Sequence, residues 1–481
     1  MRVQDKYNHC AKAPEKIIQF GEGNFLRAFV DWMIHTMNKK LDFNASVVMV
    51  QPIETGMADM INNQEGYYTL LSSGIENGEA HAQSEVIQSV SRAINPYSDP
   101  NSFIALAHNP DFRFVISNTT EAGIAFDSTD TLNMTPPKSF PAKVTRLLHE
   151  RFTIFHGDTT KGFIFLPCEL IDRNGDQLRN LVMRYARLWQ LGETFEMWVK
   201  EANHFCNTLV DRIVPGFPRD RHQELQNTLG YEDNLMVEAE LFHLWVIEGP
   251  DFIQKELPAR QCGLNVVFTN NMEPYRTRKV RILNGLHTLM TPLALLAGIE
   301  TVQEAVEHPV MGEFIRCTTE GEIIPTLDLP LKELQAFSSA VMDRFLNPFI
   351  HHRLSSIALN TVSKFKTRVL PSIEIFLERK QQLPANLLWG WAGLIAFYKG
   401  TYNNQSLPVN DNPDIINTFS VLWQKVDGGQ MNLPELVHHV LEKSDWWGKD
   451  FNMIAGLNEE ITVRIKAIGA GNFMDQLKKQ S

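Results

Sequence analysis

The sequence of 481 residues predicts an α/β N-terminal domain followed by an all-α C-terminal domain. Up to about residue 272, short apolar runs typical of buried strands alternate with helical segments, as a doubly wound parallel sheet requires. Beyond that point the strand-like runs stop, and apolar residues recur at three- and four-residue steps. We therefore predict domains at residues 1–272 and 273–481.

The first predicted strand ends in a glycine-rich turn that opens a helix. Gly21 can make the tight turn, and Gly23, which has no Cβ, lets the backbone approach a pyrophosphate at the helix N-terminus. Leu26 stands where the common pattern has a third glycine, so an ordinary strand-to-helix connection is the alternative. The pattern favours a Rossmann-like dinucleotide site. Its candidate cofactor-binding residues are Ile18, Gln19, Phe20, Gly21, Glu22, Gly23, Asn24, Phe25, Leu26, Arg27, Ala28 and Phe29.

Two further strand ends supply candidate cofactor contacts. Glu54 follows the strand-like run 46–51, where a carboxylate accepts from a ribose 2′-OH and repels a 2′-phosphate, which favours NAD over NADP. Asn118 and Thr119 follow the run 112–117, and ligands of open parallel sheets sit at such carboxyl ends. The alternatives are a solvated Glu54 and an ordinary turn rich in Asn and Thr.

The chemistry is predicted on a helical stretch that carries an amine, an amide and an imidazole: Lys279, Asn284 and His287. In an α-helix, Asn284 lies about 140° and His287 about 80° around the axis from Lys279, so all three can face one cleft. A buried helix whose Asn and His satisfy local hydrogen bonds is the alternative.

The Gly-x-Gly-Asn-Phe-x-Arg turn and the Lys-x-x-x-x-Asn-x-x-His run together resemble the mannitol dehydrogenase family of polyol-specific long-chain dehydrogenases, over about residues 16–470. The resemblance implies NAD-dependent hydride transfer, with Lys279 as general acid or base and Asn284 and His287 at the reacting oxygen. It also implies the sugar acids tagaturonate and altronate as the substrate pair. Fructuronate, or a polyol such as mannitol, is the alternative substrate.

The same resemblance implies substrate-binding roles for Asp211, in a Val-Asp-Arg-Ile segment, and for Lys364. Arg368 lies one helical turn after Lys364, so the two can share a face and bind a carboxylate. A structural network of Asp211 with Arg212 is the alternative for Asp211. Leu170 departs from the family, whose polyol enzymes have an oxyanion-binding Asn there. Glu169 and Asp172 are alternative participants, but loop carboxylates of this kind are expected to be solvated.

Composition excludes several other classes of protein. The net charge of −11 argues against nucleic-acid and membrane-surface partners, both of which reward a basic face. Five scattered cysteines indicate neither a zinc ribbon nor a disulfide framework, and the paired histidines at 351 and 352 have no carboxylate at ligand spacing, so we predict no metal site. The N-terminus does not resemble a secretory signal, and a cytoplasmic location is expected. The sequence leaves the oligomeric state open.

Overall fold

A six-stranded parallel sheet organises the N-terminal part of the chain. Its strands in chain order are β1 (Glu15–Phe20), β2 (Ser46–Val50), β3 (Val90–Ile94), β4 (Phe114–Ser117), β5 (Ile164–Pro167) and β6 (His204–Phe205). Their spatial order is β3-β2-β1-β4-β5-β6. This is the doubly wound order, in which strands are added to one side of β1 and then to the other. The predicted Rossmann-like domain is therefore confirmed.

The computed structural model describes residues 1–7, 12–76, 78–120 and 122–480. It divides into two compact units, the first comprising Met1–Ser73 with His81–Met272 and the second Gly74–Ala80 with Glu273–Ser481. Apolar side chains fill both faces of the parallel sheet, and Ile17, Ile18 and Phe20 of β1 are fully buried. This double burial explains why β1 and β2 read as continuous apolar runs and not as alternating ones.

Two smaller sheets accompany the main one. The first joins Val237–Glu240, Tyr68–Glu76 and Glu79–Ile87, and the second joins Val266–Thr269, Leu244–Glu248 and Asn207–Asp211. Of these strands, the sequence indicates only Val266–Thr269, through the apolar run 265–269. The helical segments up to residue 272 are Val3–Tyr7, Asn24–Leu26, Arg27–Asp31, Trp32–Lys40, Ala58–Asn63, Pro100–Ala105, Leu106–His108, Phe140–Ile154, Thr159–Lys161, Asn174–Leu188, Glu193–Ala202, Arg219–Arg221, His222–Leu229, Ile253–Glu256 and Ala259–Cys262.

The second unit is helical, as predicted, apart from a hairpin of two-residue strands, Thr401–Tyr402 and Gln405–Ser406. Its helical segments are Glu273–Lys279, Val280–Asn284, Gly285–Leu296, Val302–Glu307, Pro309–Thr318, Thr319–Ile323, Ile324–Thr326, Leu331–Phe345, Leu354–Ile357, Thr361–Arg368, Leu370–Lys380, Ala385–Phe397, Pro413–Asp427, Leu433–Leu441, Ser444–Trp447, Leu457–Gly469 and Phe473–Gln480. Capping boxes at Thr301 and Asn432 fix the starts of two of these helices.

Two buried glycines let the apolar helix Ala385–Phe397 pack closely against Gly285–Leu296. A Cβ at Gly390 would overlap the side chain of Leu289, and a Cβ at Gly393 would come 2.7 Å from the Leu293 side chain. The side chains of this apolar helix are buried almost throughout, as in a core helix. Within the described part of the chain, no helix combines the length and apolarity that crossing a membrane requires.

Candidate active site

The turn after β1 has the geometry that a dinucleotide site requires. Gly21 has a φ of +116°, and a Cβ there would lie 2.9 Å from the carbonyl oxygen of Asn118, so only glycine fits without strain. Gly23 is different, because a Cβ there would meet no described atom within 4 Å. It precedes the helix start without a side-chain cap, so the first helical amides at Asn24 and Phe25 are left for another acceptor.

Arg27, expected to bind the cofactor, stabilises the glycine turn from the interior of the protein. Its guanidinium group is buried and donates to the carbonyl oxygen of Glu22 at 3.1 Å, to Oδ1 of Asn24 at 2.8 Å and to the carbonyl oxygen of Leu235. With its donors used in this way, the side chain does not face a ligand. The residue supports the shape of the turn.

Most other side chains of the turn segment are also directed into the protein. Gln19 donates from Nε2 to the carbonyl oxygen of Gly21 at 3.0 Å, so it too holds the turn. The side chains that are directed inward leave only the backbone of these residues available to a ligand. The other fully buried side chains are those of Ile18, Phe20, Leu26, Ala28 and Phe29, whereas Asn24 and Phe25 are half-buried.

The loop after β2 lies against the glycine turn. Glu54 is exposed, and its carbonyl oxygen accepts from Nε2 of the buried Gln51 at 2.9 Å. Glu22 accepts from the amide of Met57 at 3.2 Å, and burial raises the pKa of its carboxyl group. Two acidic side chains therefore occupy the region in which a Rossmann domain recognises the ribose.

Asn118 and Thr119 join the ends of β4 and β5. Asn118 donates from Nδ2 to the carbonyl oxygen of Cys168 at 2.9 Å, and Thr119 donates from its amide and hydroxyl groups to Oε1 of Glu169 at 3.0 and 2.9 Å. Glu169 also accepts from Ser117 at 3.0 Å and is buried. The expectation of a solvated Glu169 was therefore wrong. The neighbouring Leu170 is 65% exposed and offers no polar group at this edge.

Asp211 ends the strand Asn207–Asp211 and is buried. Arg212 donates to the carbonyl oxygens of Glu240, at 2.9 Å, and of Ala28, and its guanidinium group lies 4.4 Å from the Trp32 ring. Burial lowers the pKa of Arg212 to about 10. Arg212 therefore fixes this strand against the helix that follows the glycine turn.

In the second unit, Lys279 and Asn284 flank a π-helical turn. Glu273–Lys279 is α-helical, Val280–Asn284 has the wider π-helical form, and Gly285–Leu296 is α-helical again. In a π turn the hydrogen bonds join residues five apart and each turn holds more residues, so Asn284 lies closer around the axis to Lys279 than the about 140° of an α-helix. The α-helical geometry assumed from sequence was wrong here, but the π turn brings the two half-buried side chains closer to one face.

His287 lies in a buried and positively charged environment. Its ring centroid is 4.5 Å from that of Phe345 and 5.0 Å from that of His352. Burial, and then the nearby His352 and Arg344, lower the pKa of His287 well below its ordinary value, so the imidazole is neutral at neutral pH. Its buried Nε2 has no hydrogen-bond partner among the described residues. A buried polar nitrogen of this kind is normally satisfied, which makes it a position for a ligand group.

Lys364 and Arg368 share the helix Thr361–Arg368 and approach His287 closely enough to depress its pKa. Lys364 donates from Nζ to the carbonyl oxygen of Ile357 at 3.0 Å, and Arg368 donates to the hydroxyl of Thr288 at 3.4 Å. Burial lowers the pKa of both side chains, and repulsion from Arg368 lowers that of Lys364 further. Neither forms an ion pair with a carboxylate in the part of the chain that the structure describes.

We refer to His287, Arg344, His352, Lys364 and Arg368 as the basic cluster. Sequence reasoning missed Arg344 and the role of His352. Arg344 is buried on the helix Leu331–Phe345, a position that only the packing of distant helices brings near His287. His352 was weighed only as a metal ligand. Its orientation toward His287, while His351 is exposed, had no signal in the sequence.

No set of three or more His, Cys, Asp or Glu side chains is arranged to hold a metal ion within the described ranges. The cysteines at 168, 206, 262 and 317 are free thiols, and Cys10 lies outside the described residues. Burial raises the pKa of the Cys206 thiol to about 12, so it is not a thiolate at neutral pH.

Comparison with known proteins decides the family. Residues 15–261 match the mannitol dehydrogenase Rossmann domain, and residues 271–469 match the mannitol dehydrogenase C-terminal domain. The chain belongs to the mannitol dehydrogenase family. As a member of this family it is a dehydrogenase, and the resemblance drawn from its two motifs is confirmed.

Among relatives in the mannitol dehydrogenase family, the chain is similar to altronate oxidoreductases. It is 47% identical to that of Yersinia pestis bv. Antiqua over 456 residues, which cover 95% of this chain and 94% of the relative. Identity to the Bacillus subtilis altronate oxidoreductase is 47% over 462 residues, 96% of this chain and 94% of the relative.

Two solved structures of dehydrogenases share the fold. A D-sorbitol dehydrogenase in substrate-free form superposes with a TM-score of 0.80 at 22% identity, covering 97% of this chain and 95% of the other. The mannitol 2-dehydrogenase of Pseudomonas fluorescens, in a ternary complex with NAD and D-mannitol, gives a TM-score of 0.65 at 21% identity, covering 97% and 94%. At these identities the likeness concerns the fold alone.

Proposed function

We propose that this protein interconverts D-tagaturonate and D-altronate with NAD as the cofactor. The observation that carries the choice of an acidic substrate is the basic cluster, in which Lys364 and Arg368 form no ion pair within the described residues, although the charge of Asp411 acts on Lys364. The altronate oxidoreductases to which the chain is similar support the specific sugar acid. A neutral polyol would leave these half-buried cations without a carboxylate at contact distance, which is unfavourable.

The residues of the glycine turn fit a dinucleotide. Open space at Gly23 and the uncapped helical amides at Asn24 and Phe25 suit a pyrophosphate. Glu22 and Glu54 disfavour a 2′-phosphate, which supports NAD over NADP. When bound, the reduced cofactor supplies the hydride that converts the keto group to an alcohol. The contribution of the protein at this turn is to bind and orient.

Lys279 is the group we assign to proton transfer. A lysine ammonium group carries a proton at neutral pH and can give it to an alkoxide that forms on the keto carbon. In the oxidation direction the same amine accepts the proton. Asn284, which the π turn brings closer to the face of Lys279, donates its amide N–H to the developing oxyanion. The neutral His287 has one ring N–H, so it can donate one further hydrogen bond.

The experiment that tests the function is a panel of tagaturonate, fructuronate, fructose and tagatose assayed with NADH and with NADPH. We expect the highest kcat/KM for tagaturonate with NADH. A preference for fructuronate would mean that fructuronate, and not tagaturonate, is the substrate. A preference for a neutral ketose would refute the role of the basic cluster.

Because no step assigned to the protein requires a metal ion, incubation with EDTA followed by gel filtration should leave the rate of tagaturonate reduction within about 20% of that of untreated enzyme. The measurement is the initial rate of NADH oxidation, with a mock-treated sample as control. Loss of activity that zinc restores would contradict the assignment of proton transfer to Lys279 alone.

The basic cluster predicts a substrate-dependent effect of neutralising variants. Arg368→Leu or Lys364→Met should reduce kcat/KM for tagaturonate about 10- to 150-fold, the equivalent of roughly 1.5 to 3 kcal/mol for a charge-assisted hydrogen bond. The rate with neutral tagatose should change little, because that substrate has no carboxylate. The measurement is kcat/KM for both substrates with each variant.

Lys380→Met is the matched control, since Lys380 is an exposed lysine on the neighbouring helix Leu370–Lys380. It should behave like wild type on both substrates. Equal losses on tagaturonate and tagatose in the cluster variants would mean that Lys364 and Arg368 support the fold or shared hydroxyl groups. The exposed Arg353 would then be the next candidate for the carboxylate, since Arg212 is buried among backbone carbonyls.

A further inference from the structure

Two buried oxygens under the glycine turn have no hydrogen-bond partner among the described residues: Oε1 of Gln19 and Oδ1 of Asp31. Both residues are completely buried. An unsatisfied acceptor in such a place costs free energy, and native proteins rarely leave one, let alone two in neighbouring side chains.

The other polar atoms of the same two side chains already bond to each other. Nε2 of Gln19 donates to Oδ2 of Asp31 at 3.3 Å and to the carbonyl oxygen of Gly21 at 3.0 Å. Exchanging the nitrogen and oxygen of the Gln19 amide would place an acceptor against the Gly21 carbonyl, so the orientation of the amide is fixed. The remaining oxygens can bond only if one of them carries a proton, and only the carboxyl group can supply it.

The surroundings favour the protonated acid. Burial raises the pKa of Asp31 to about 7, although Gln19, Arg27 and Tyr68 each act to lower it. Arg27, on the same helical segment, directs its guanidinium donors to Glu22, Asn24 and Leu235, so it acts on Asp31 through its charge.

Groups on the neighbouring elements are also engaged elsewhere. Tyr68 donates its hydroxyl to the carbonyl oxygen of Arg27 at 2.7 Å and lies 3.4 Å from Oδ2 of Asp31. Asp233, which faces Arg27 and Tyr68, accepts from the amide of Thr69 at 2.6 Å and from Gln64 at 2.9 Å. No described group therefore replaces the missing proton donor.

We propose that Asp31 donates a proton from Oδ1 to Oε1 of Gln19, and that the resulting acid–amide pair positions the glycine turn for cofactor binding. The proposal rests on the proposed function, in which this turn binds NAD. Asp31 does not touch the cofactor and is a positioning residue, acting through Gln19 on the carbonyl of Gly21. When the proton is lost, the carboxylate repels Oε1 and competes with Gly21 for the Gln19 N–H groups, so the turn loses its support.

The sign of the pH effect follows from the form that is required. The protonated pair predominates below about pH 7 and is lost as the pH rises through that value. If only the protonated form holds the turn correctly, the apparent Kd is the intrinsic Kd divided by its fraction. The Kd for NADH should then rise about 10- to 30-fold between pH 6 and pH 8.5.

The test compares NADH titrations, followed by cofactor fluorescence, of wild type, Asp31→Asn and the control Asp42→Asn over this pH range. Asparagine supplies an N–H in place of the acidic proton, so Asp31→Asn should bind NADH at every pH within about threefold of wild type at pH 6. Asp42→Asn removes the carboxyl group of an exposed aspartate outside the turn and should keep the wild-type pH dependence. A flat wild-type profile, or the same slope in Asp31→Asn as in wild type, would overturn the pair.

Nuclear magnetic resonance of wild type with ¹³C-labelled aspartate carboxyl groups gives a second test that needs no variant. One aspartate should titrate near neutral pH, and the absence of any such signal would also overturn the proposal. Failure of the proposed function is distinguishable, since it would appear as no NADH binding at any pH. Binding that is tight but independent of pH would refute only the acid–amide pair.

Discussion

Lys279→Ala is expected to lower kcat for tagaturonate reduction by roughly 10²- to 10⁴-fold, the range that general acid catalysis contributes in enzymes. The Kd for NADH should stay within about twofold of wild type, because the proposed cofactor contacts lie on the glycine turn and not on this helix. Single-turnover kinetics and fluorescence titration measure the two quantities separately. Near-normal turnover would refute the assignment.

Two further variants separate proton transfer from simple loss of charge. Lys279→Arg keeps a positive hydrogen-bond donor, but a guanidinium group does not release its proton in proteins, so this variant should be nearly as slow as Lys279→Ala. Added primary amines should partly restore Lys279→Ala and have no effect on wild type. Lys332→Ala, at an exposed lysine on the helix Leu331–Phe345, is the control and should retain full activity.

Gly23→Val is expected to weaken NADH binding by about 100-fold or more while the protein remains folded. The structure has open space where the new side chain would go, so the fold tolerates it, whereas a pyrophosphate placed at the helical amides of Asn24 and Phe25 would collide with it. The measurements are the Kd for NADH and the thermal midpoint of unfolding. Unchanged affinity would mean that the turn is merely structural.

Gly21→Val is the informative contrast to Gly23→Val. The positive φ of Gly21 and the nearby carbonyl oxygen of Asn118 leave no room for a side chain, so this variant should lower the thermal midpoint of unfolding as well as the affinity. The pair of variants therefore separates the glycine that shapes the turn from the glycine that admits the ligand. Loss of stability in Gly23→Val alone would reverse these roles.

The parts of the fold that the sequence could predict depend on local patterns. The turn at Gly21 and Gly23 follows an apolar strand and precedes a helix, and each of these signals lies within a few residues of the next. The helix Phe140–Ile154 also has local signals in the sequence, because Ser139 caps it and Pro141 occupies its first turn. Such features can be predicted without knowing which residues pack against them.

The parts that could not be predicted depend on contacts between distant residues. Glu169 looks like any loop carboxylate until β4 brings Ser117 and Thr119 against it. Arg344 joins the basic cluster only through helix packing. The π turn at Val280–Asn284 contains no glycine or proline, so nothing in its composition distinguishes it from an α-helix. Its wider turn depends on the tertiary packing of both flanking helices.

The close packing at Gly390 and Gly393 has a consequence for how this enzyme can change. At Gly390 and Gly393, the side chains of Leu289 and Leu293, on the helix Gly285–Leu296 that carries His287, lie against the neighbouring helix. The two glycines have no side chain that could yield, so we expect new substrate preferences to arise by exchange of side chains elsewhere around the helix, above all on Thr361–Arg368. In evolutionary terms, we expect the reaction to be kept with the fold, while the choice of substrate changes through substitutions of surrounding side chains.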